Sequence, residues 1–187
     1  MKKALLTLAC MATMGLTSVA HAAVLTFDTP GLIDIDNNTG VATYQEGSFT
    51  LAGQAATYLP LDFVGTGGSG GLLLFAGNLL TLSAAGGGLF SLLGLDFGLF
   101  DPNDSGSLDL HGLLADSSAL DQTLPLGALQ NFSFQGWSGL REVTFNASAN
   151  IVLDNINAVP EPGSAALTLT ALSGLLLVRR RHPAKRA

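Results

Sequence analysis

FSLLGLDFGLF at residues 90–100 runs into DPND at 101–104 and then into SLDLHGL at 107–113. The first stretch alternates loosely between apolar and small or polar positions. The last puts Leu108 and Leu110 on one face and Asp109 and His111 on the other, the period of a half-buried strand. Between them Asp101-Pro102-Asn103-Asp104 is a strong turn: proline pre-sets φ, and the Asp and Asn side chains bond to nearby backbone. The same grammar continues outward. Strands are expected at residues 121–126, 131–136, 141–147 and 150–159, and upstream at 24–27, 48–52, 58–64 and 79–83. Strands recurring at intervals of roughly ten residues with turn signals between them predict an all-β sandwich. Residues 34–40 (DIDNNTG) read as a polar, turn-prone loop. Residues 65–71 (GTGGSGG) read as a flexible loop that lacks the lysine of a phosphate cradle. No stretch carries a convincing amphipathic helical period.

The two ends of the chain do not belong to this pattern. Lys2 and Lys3 precede an apolar run at 4–19, and Ala20-His21-Ala22 has the small-x-small form cut by signal peptidase. Residues 1–22 are therefore expected to be a signal peptide cleaved between Ala22 and Ala23. Cys10 follows Leu8-Ala9 as in a lipobox, but Thr7 stands three before it and the apolar run continues past it, so an ordinary signal-peptide cysteine is expected. At the other end Pro160-Glu161-Pro162 is followed by the uncharged residues 165–178 and then by Arg179, Arg180 and Arg181. The prolines favour an exposed, extended segment, and Ser164 can cap a helix starting at 165. Fourteen helical residues span about 21 Å, short of the roughly 30 Å hydrocarbon core. Snorkelling arginines and local thinning allow a marginal, transient insertion in the inner membrane with the C-terminus cytoplasmic. The expected organisation is residues 1–22, 23–158 and 159–187.

Charge is divided unevenly among these parts. Residues 23–158 hold 13 of the 14 acidic residues but, of the eight Lys and Arg, only Arg141, a net charge of −12. Such a body lacks the basic footprint that nucleic acid or anionic lipid requires. It contains no cysteine, which excludes disulfides and thiolate chemistry, and one histidine, His111. With no nucleophile motif either, an enzyme is not expected, and a secreted hydrolase is the least favoured class. Twenty of the 23 glycines lie there, as many tight turns require.

Residues 159–186, with the Pro-Glu-Pro triplet, apolar run and arginine cluster in that order, resemble the PEP-CTERM sorting domain of Gram-negative bacteria. That resemblance implies recognition by an exosortase, a membrane-embedded cysteine protease or transpeptidase, with processing near Pro160-Glu161-Pro162. It implies an exported protein of the cell surface, extracellular matrix or biofilm, associated with exopolysaccharide. The body, from FSLLGLD at 90–96 through FSF at 132–134 to VLDNI at 152–156, is similar to β-jelly rolls of the carbohydrate-binding-module type. Related modules hold a structural calcium near their first and last strands. Asp28 follows the first expected strand, Asp154 sits in the last, and Glu46 could approach the same edge. Three carboxylates with backbone carbonyls suit Ca²⁺, which takes 6–8 oxygen ligands; the alternative is that they bond backbone amides. Asp34, Asp36 and Asn38 open like an EF-hand loop, but Gly40 and Gln45 miss its pattern. Trp137, in the loop-like GWSG at 136–139, is a candidate for stacking on a sugar or for capping the core. Asp109 and His111 are assigned a structural or surface role. Two functions follow as expectations: a sorted surface or matrix protein without catalysis, and a calcium-assisted carbohydrate-binding module.

Overall fold

The run at 90–99 is the strand about which the molecule is organised, β8 (Phe90–Leu99). Its loose alternation has a structural cause. Phe90 and Leu92 face the core in its first half, Leu95 and Phe97 in its second. The phase changes at Gly94, where the register against the neighbouring strand also slips. A bulge of this kind inserts a residue and re-aims every side chain beyond it.

The computed structural model describes residues 23–28, 33–36, 41–54, 56–59 and 69–161, the side chains at 33, 35 and 56–59 excepted. All lie within one unit, His21–Glu161. The remaining strands are β1 (Ala23–Leu25), β2 (Ile33–Ile35), β3 (Val41–Glu46), β4 (Phe49–Gln54), β5 (Ala56–Leu59), β6 (Gly71–Leu74), β7 (Leu79–Ala84), β9 (Ser107–Leu114), β10 (Ala119–Pro125), β11 (Gln130–Ser133), β12 (Leu140–Ala147) and β13 (Ile151–Pro160). A single 3-10 turn at Ala85–Gly87 is the only helical element among the described residues. The all-β expectation therefore holds for the body. No helix among the described residues is long and apolar enough to cross a membrane. The expected signal peptide with Ala22, the apolar run at 165–178, Pro162, and Arg179, Arg180 and Arg181 lie outside the described residues.

Every strand pair is antiparallel. One layer runs β2-β3-β4-β7-β12-β9-β10, and the other β5-β6-β13-β8-β11, with β1 beside the far end of β13. The layers meet at a single bridge, Leu140 to Phe90. Between them lies one core. Tyr44, Phe49, Leu51, Leu82, Leu110, Val143 and Phe145 of the first layer pack with Leu25, Leu74, Leu92, Phe97, Ile151, Leu153 and Ile156 of the second. Phe49 meets Phe90 edge-on across the gap, centroids 5.5 Å apart. This is a β-sandwich.

The structure departs from the sequence reading at several points. The loop expected at 34–40 begins as strand, with Asp34 opposite Thr43 in the β2–β3 pair. β3 and β6 were not expected at all. The segment Val159 to Glu161 is extended as expected but not free: Pro160 pairs with Phe90 as the last residue of β13.

Candidate functional site

Two polar regions stand out, one on the outer face of each layer. The first lies where β13 changes partners. β6 pairs with Ile151 to Leu153, and β1 with Ile156 to Ala158. Asp154 and Asn155 fall in the gap between these partners. Asn155 takes φ +46°, and Phe27, just beyond β1, takes +56°. Left-handed backbone at a non-glycine residue is costly, and for a bulky aromatic it is an outlier that its surroundings must enforce. Here the enforcement is visible. Glu46 Oε2 accepts hydrogen bonds from the Thr26 and Phe27 amides (3.0 and 3.3 Å) and from the Tyr44 hydroxyl (2.6 Å), while Oε1 accepts from Thr26 Oγ1 (3.2 Å). The Phe27 ring is fully buried and lies 4.8 Å from that of Tyr44.

The turn so fixed delivers Asp28 to the gap. Its Oδ1 accepts the Gly70 amide at 3.0 Å, and the preceding Ser69 donates its hydroxyl to Asp154 Oδ2. Asp154 Oδ1 takes the Asn155 amide at 2.7 Å. Opposite Asp154 in register stands Asp96 of β8, which accepts Asn155 Nδ2 at 2.9 Å and Asn131 Nδ2 at 2.6 Å. Asp154 is 1% exposed, the one buried charged residue among those described. Burial, and then the like charges of Asp96 and Asp28, push its carboxyl up to about 6, against the pull of the Ser69 and Asn155 donors. Arg141, the single Lys or Arg among the described residues, interacts instead with Asp116.

The structure thus brings Asp28 and Asp154 together, as first and last strands require. Glu46 approaches the same edge but spends its oxygens holding the Phe27 turn. Asp96, Asn155 and Ser69 were missed. All donors at the gap are oxygen atoms of carboxylate, amide, hydroxyl or backbone groups, the chemistry a hard cation takes. No three acidic or histidine side chains among the described residues converge as a ready-made cage.

The second region is the outer face of the seven-stranded layer. Pairing registers align Asp34, Thr43, Ala52, Thr81, Thr144, His111 and Asp121 in one rank across all seven strands. A neighbouring rank holds Leu79, Asn146, Asp109 and Thr123. At about 4.8 Å between strands, the first rank crosses roughly 29 Å. At its β9–β10 end the two ranks line an open groove of about 550 Å³. Asp109 accepts the Thr123 hydroxyl at 2.7 Å, and His111 Nδ1 lies 2.7 Å from Asp121 Oδ1. No Phe, Tyr or Trp ring lines the groove. Asp109 and His111 are both exposed on this face.

Trp137 is elsewhere. It is 8% exposed, its ring 4.9 Å from Phe134, over the backbone of Gly112. A Cβ on Gly112 would sit 3.0 Å from its Cζ3. The indole thus packs against the core in the capping position.

No family model matches this chain, and no curated protein matches it. Among solved structures it is similar to the CBM22-1–GH10 modules of the Clostridium thermocellum endo-1,4-β-D-xylanase 10B complexed with xylohexaose (8% identity, TM-score 0.44). That match covers 76% of this chain and 28% of that one. It is also similar to a xylan-binding domain of carbohydrate-binding family 22 (11%, TM-score 0.43, 76% and 96% covered). A third is the CBM22-1 xylan-binding domain from Paenibacillus barcinonensis xylanase 10C (11%, TM-score 0.39, 75% and 95% covered).

Proposed function

We propose that this chain is an exported, non-catalytic carbohydrate-binding β-sandwich, retained at the cell surface or in extracellular polysaccharide after C-terminal processing by an exosortase. The observation that carries the binding role is the polar rank from Asp34 to Asp121 with the groove at its β9–β10 end. Short hydroxyl, amide and carboxylate side chains at strand spacing offer donors and acceptors along a line, which is what a hydroxyl-rich polymer presents in return. Without a Phe, Tyr or Trp platform, affinity rests on hydrogen bonds, each contributing about 1 kcal/mol net, so many must act together. In the groove His111 pairs with Asp121 and Asp109 with Thr123.

Asp28, Asp96 and Asp154 do not converge as they stand, so a calcium ion at the gap would have to draw them together, assisted by the Asn155 and Ser69 side-chain oxygens. Bound there it would offset the buried charge of Asp154.

Affinity electrophoresis of the purified protein through a panel of soluble polysaccharides tests the binding role. Retardation by at least one polymer is expected, weakened about five-fold or more in His111→Ala and Thr144→Leu. Absence of retardation by all, or retardation indifferent to both substitutions, overturns the site. Release of reducing sugar overturns the non-catalytic assignment. Mass spectrometry of the secreted protein tests the sorting role: Ala23 is expected at the N-terminus and the arginine tail is expected to be missing, and an intact tail refutes it.

A further inference from the structure

Glu161 is the middle residue of Pro160-Glu161-Pro162, and it is built into the sandwich. Its amide donates to the Leu89 carbonyl at 2.8 Å, continuing the β13–β8 ladder one step past Pro160. Its Oε1 accepts the Gly139 amide at 2.6 Å and the Ser91 hydroxyl at 2.9 Å. Leu89 and Ser91 flank Phe90, and Gly139, at φ +70°, immediately precedes Leu140 of β12. One carboxylate oxygen therefore ties the end of β13 to the starts of both β8 and β12, beside the Leu140–Phe90 bridge that joins the layers. Glu161 is half-buried, and charge-assisted bonds of this kind are stronger than neutral ones.

A peptidase must draw its substrate out as a separate extended strand, and three hydrogen bonds, one from the Glu161 backbone and two to its side chain, oppose that. We propose that Glu161 is a latch: the folded body holds Pro160 and Glu161 against β8, and C-terminal processing proceeds only when this last step of β13 lifts away. The inference rests on the reading of Pro160-Glu161-Pro162 as a processing motif. Processing would then be slow on a finished body and fast on one whose final strand has not yet docked.

Ser91 tests this, because it contributes one hydroxyl to the latch and lies outside the triplet a processing enzyme would read. Hydrogen exchange on the full-length chain in detergent should find the Glu161 and Gly139 amides protected. Ser91→Ala should raise their exchange about tenfold, the loss of one bond to a charged acceptor, and Ser91→Thr should restore protection. In cells carrying an exosortase, Ser91→Ala should raise the ratio of processed to unprocessed chain and Ser91→Thr should not. Unprotected Glu161 in the native chain overturns the latch. So does faster exchange in Ser91→Ala with an unchanged processing ratio. If no variant is processed, the sorting reading fails, and the exchange measurement alone decides whether Glu161 is held.

Discussion

Asp96 and Asp154 stand opposite one another on β8 and β13, and the Asn155 amide group reaches back to bond Asp96. Asp154 points away from Leu153, which lies in the core, and shares its strand face with Val152. The pair is thus an acidic step on the outer face of the smaller layer, yet Asp154 is buried there.

That burial sets a pH dependence. In the folded chain the Asp154 carboxyl binds its proton up to about pH 6, against an ordinary value of 3.8. A raised pKa means that folding takes up a proton between those limits, so stability falls as pH rises through them and levels off above. With chelator present, the melting temperature should drop between pH 4.5 and pH 7. Asp154→Asn should remove that slope; a slope unchanged in the variant would show that another group is responsible.

Calcium should reverse the trend. An ion held at about 100 times its dissociation constant adds about 2.7 kcal/mol, or roughly 5–10 °C in a domain of this size. The shift should be larger at pH 7 than at pH 5, because the proton and the ion compete for Asp154. Asp96→Asn should reduce it, whereas Glu46→Gln should lower stability with the calcium increment kept. Differential scanning calorimetry with and without the ion separates these outcomes.

Tyr44→Phe removes one donor from the Glu46 carboxylate that holds Phe27 in its left-handed turn. A loss of about 1.5–3 kcal/mol is expected, as for hydrogen bonds to charged groups. Chemical denaturation measures it directly, and a neutral result would mean that the turn is held by other contacts.

Trp137→Ala should act as a core truncation. A loss of about 3–5 kcal/mol is expected, with carbohydrate retardation per folded molecule unchanged. Selective loss of binding at full stability would return the indole to a ligand-contacting role.

The sandwich was legible where strands alternate and end at marked turns, as at Ser107–Leu114 and Leu140–Ala147. It was hidden where those signals fail. β6 reads GLLL after a glycine run, and all four residues are buried, so it shows no alternation. β3 reads VATYQE, whose polar outward positions belong to the ranked face rather than to a loop. Asp28 and Asp154 follow from the rule that the first and last strands are neighbours. Asp96 does not, because its place opposite Asp154 follows from the register that pairs 151–154 with 96–99, which neither strand announces. Glu161 looked free because a proline stands on either side of it, and proline disfavours regular pairing. Pro160 needs no amide at the final position of β13, and Glu161 supplies the next one.

β13 lies between β8 on one side and β6 and β1 on the other, and it is the last strand of the body to be synthesised. The smaller layer cannot close around its core until that strand arrives, after residues 75–150 have followed β6. A nascent chain therefore holds half of its apolar face uncovered until its last strand docks, and closure of the second layer waits on completion of the body.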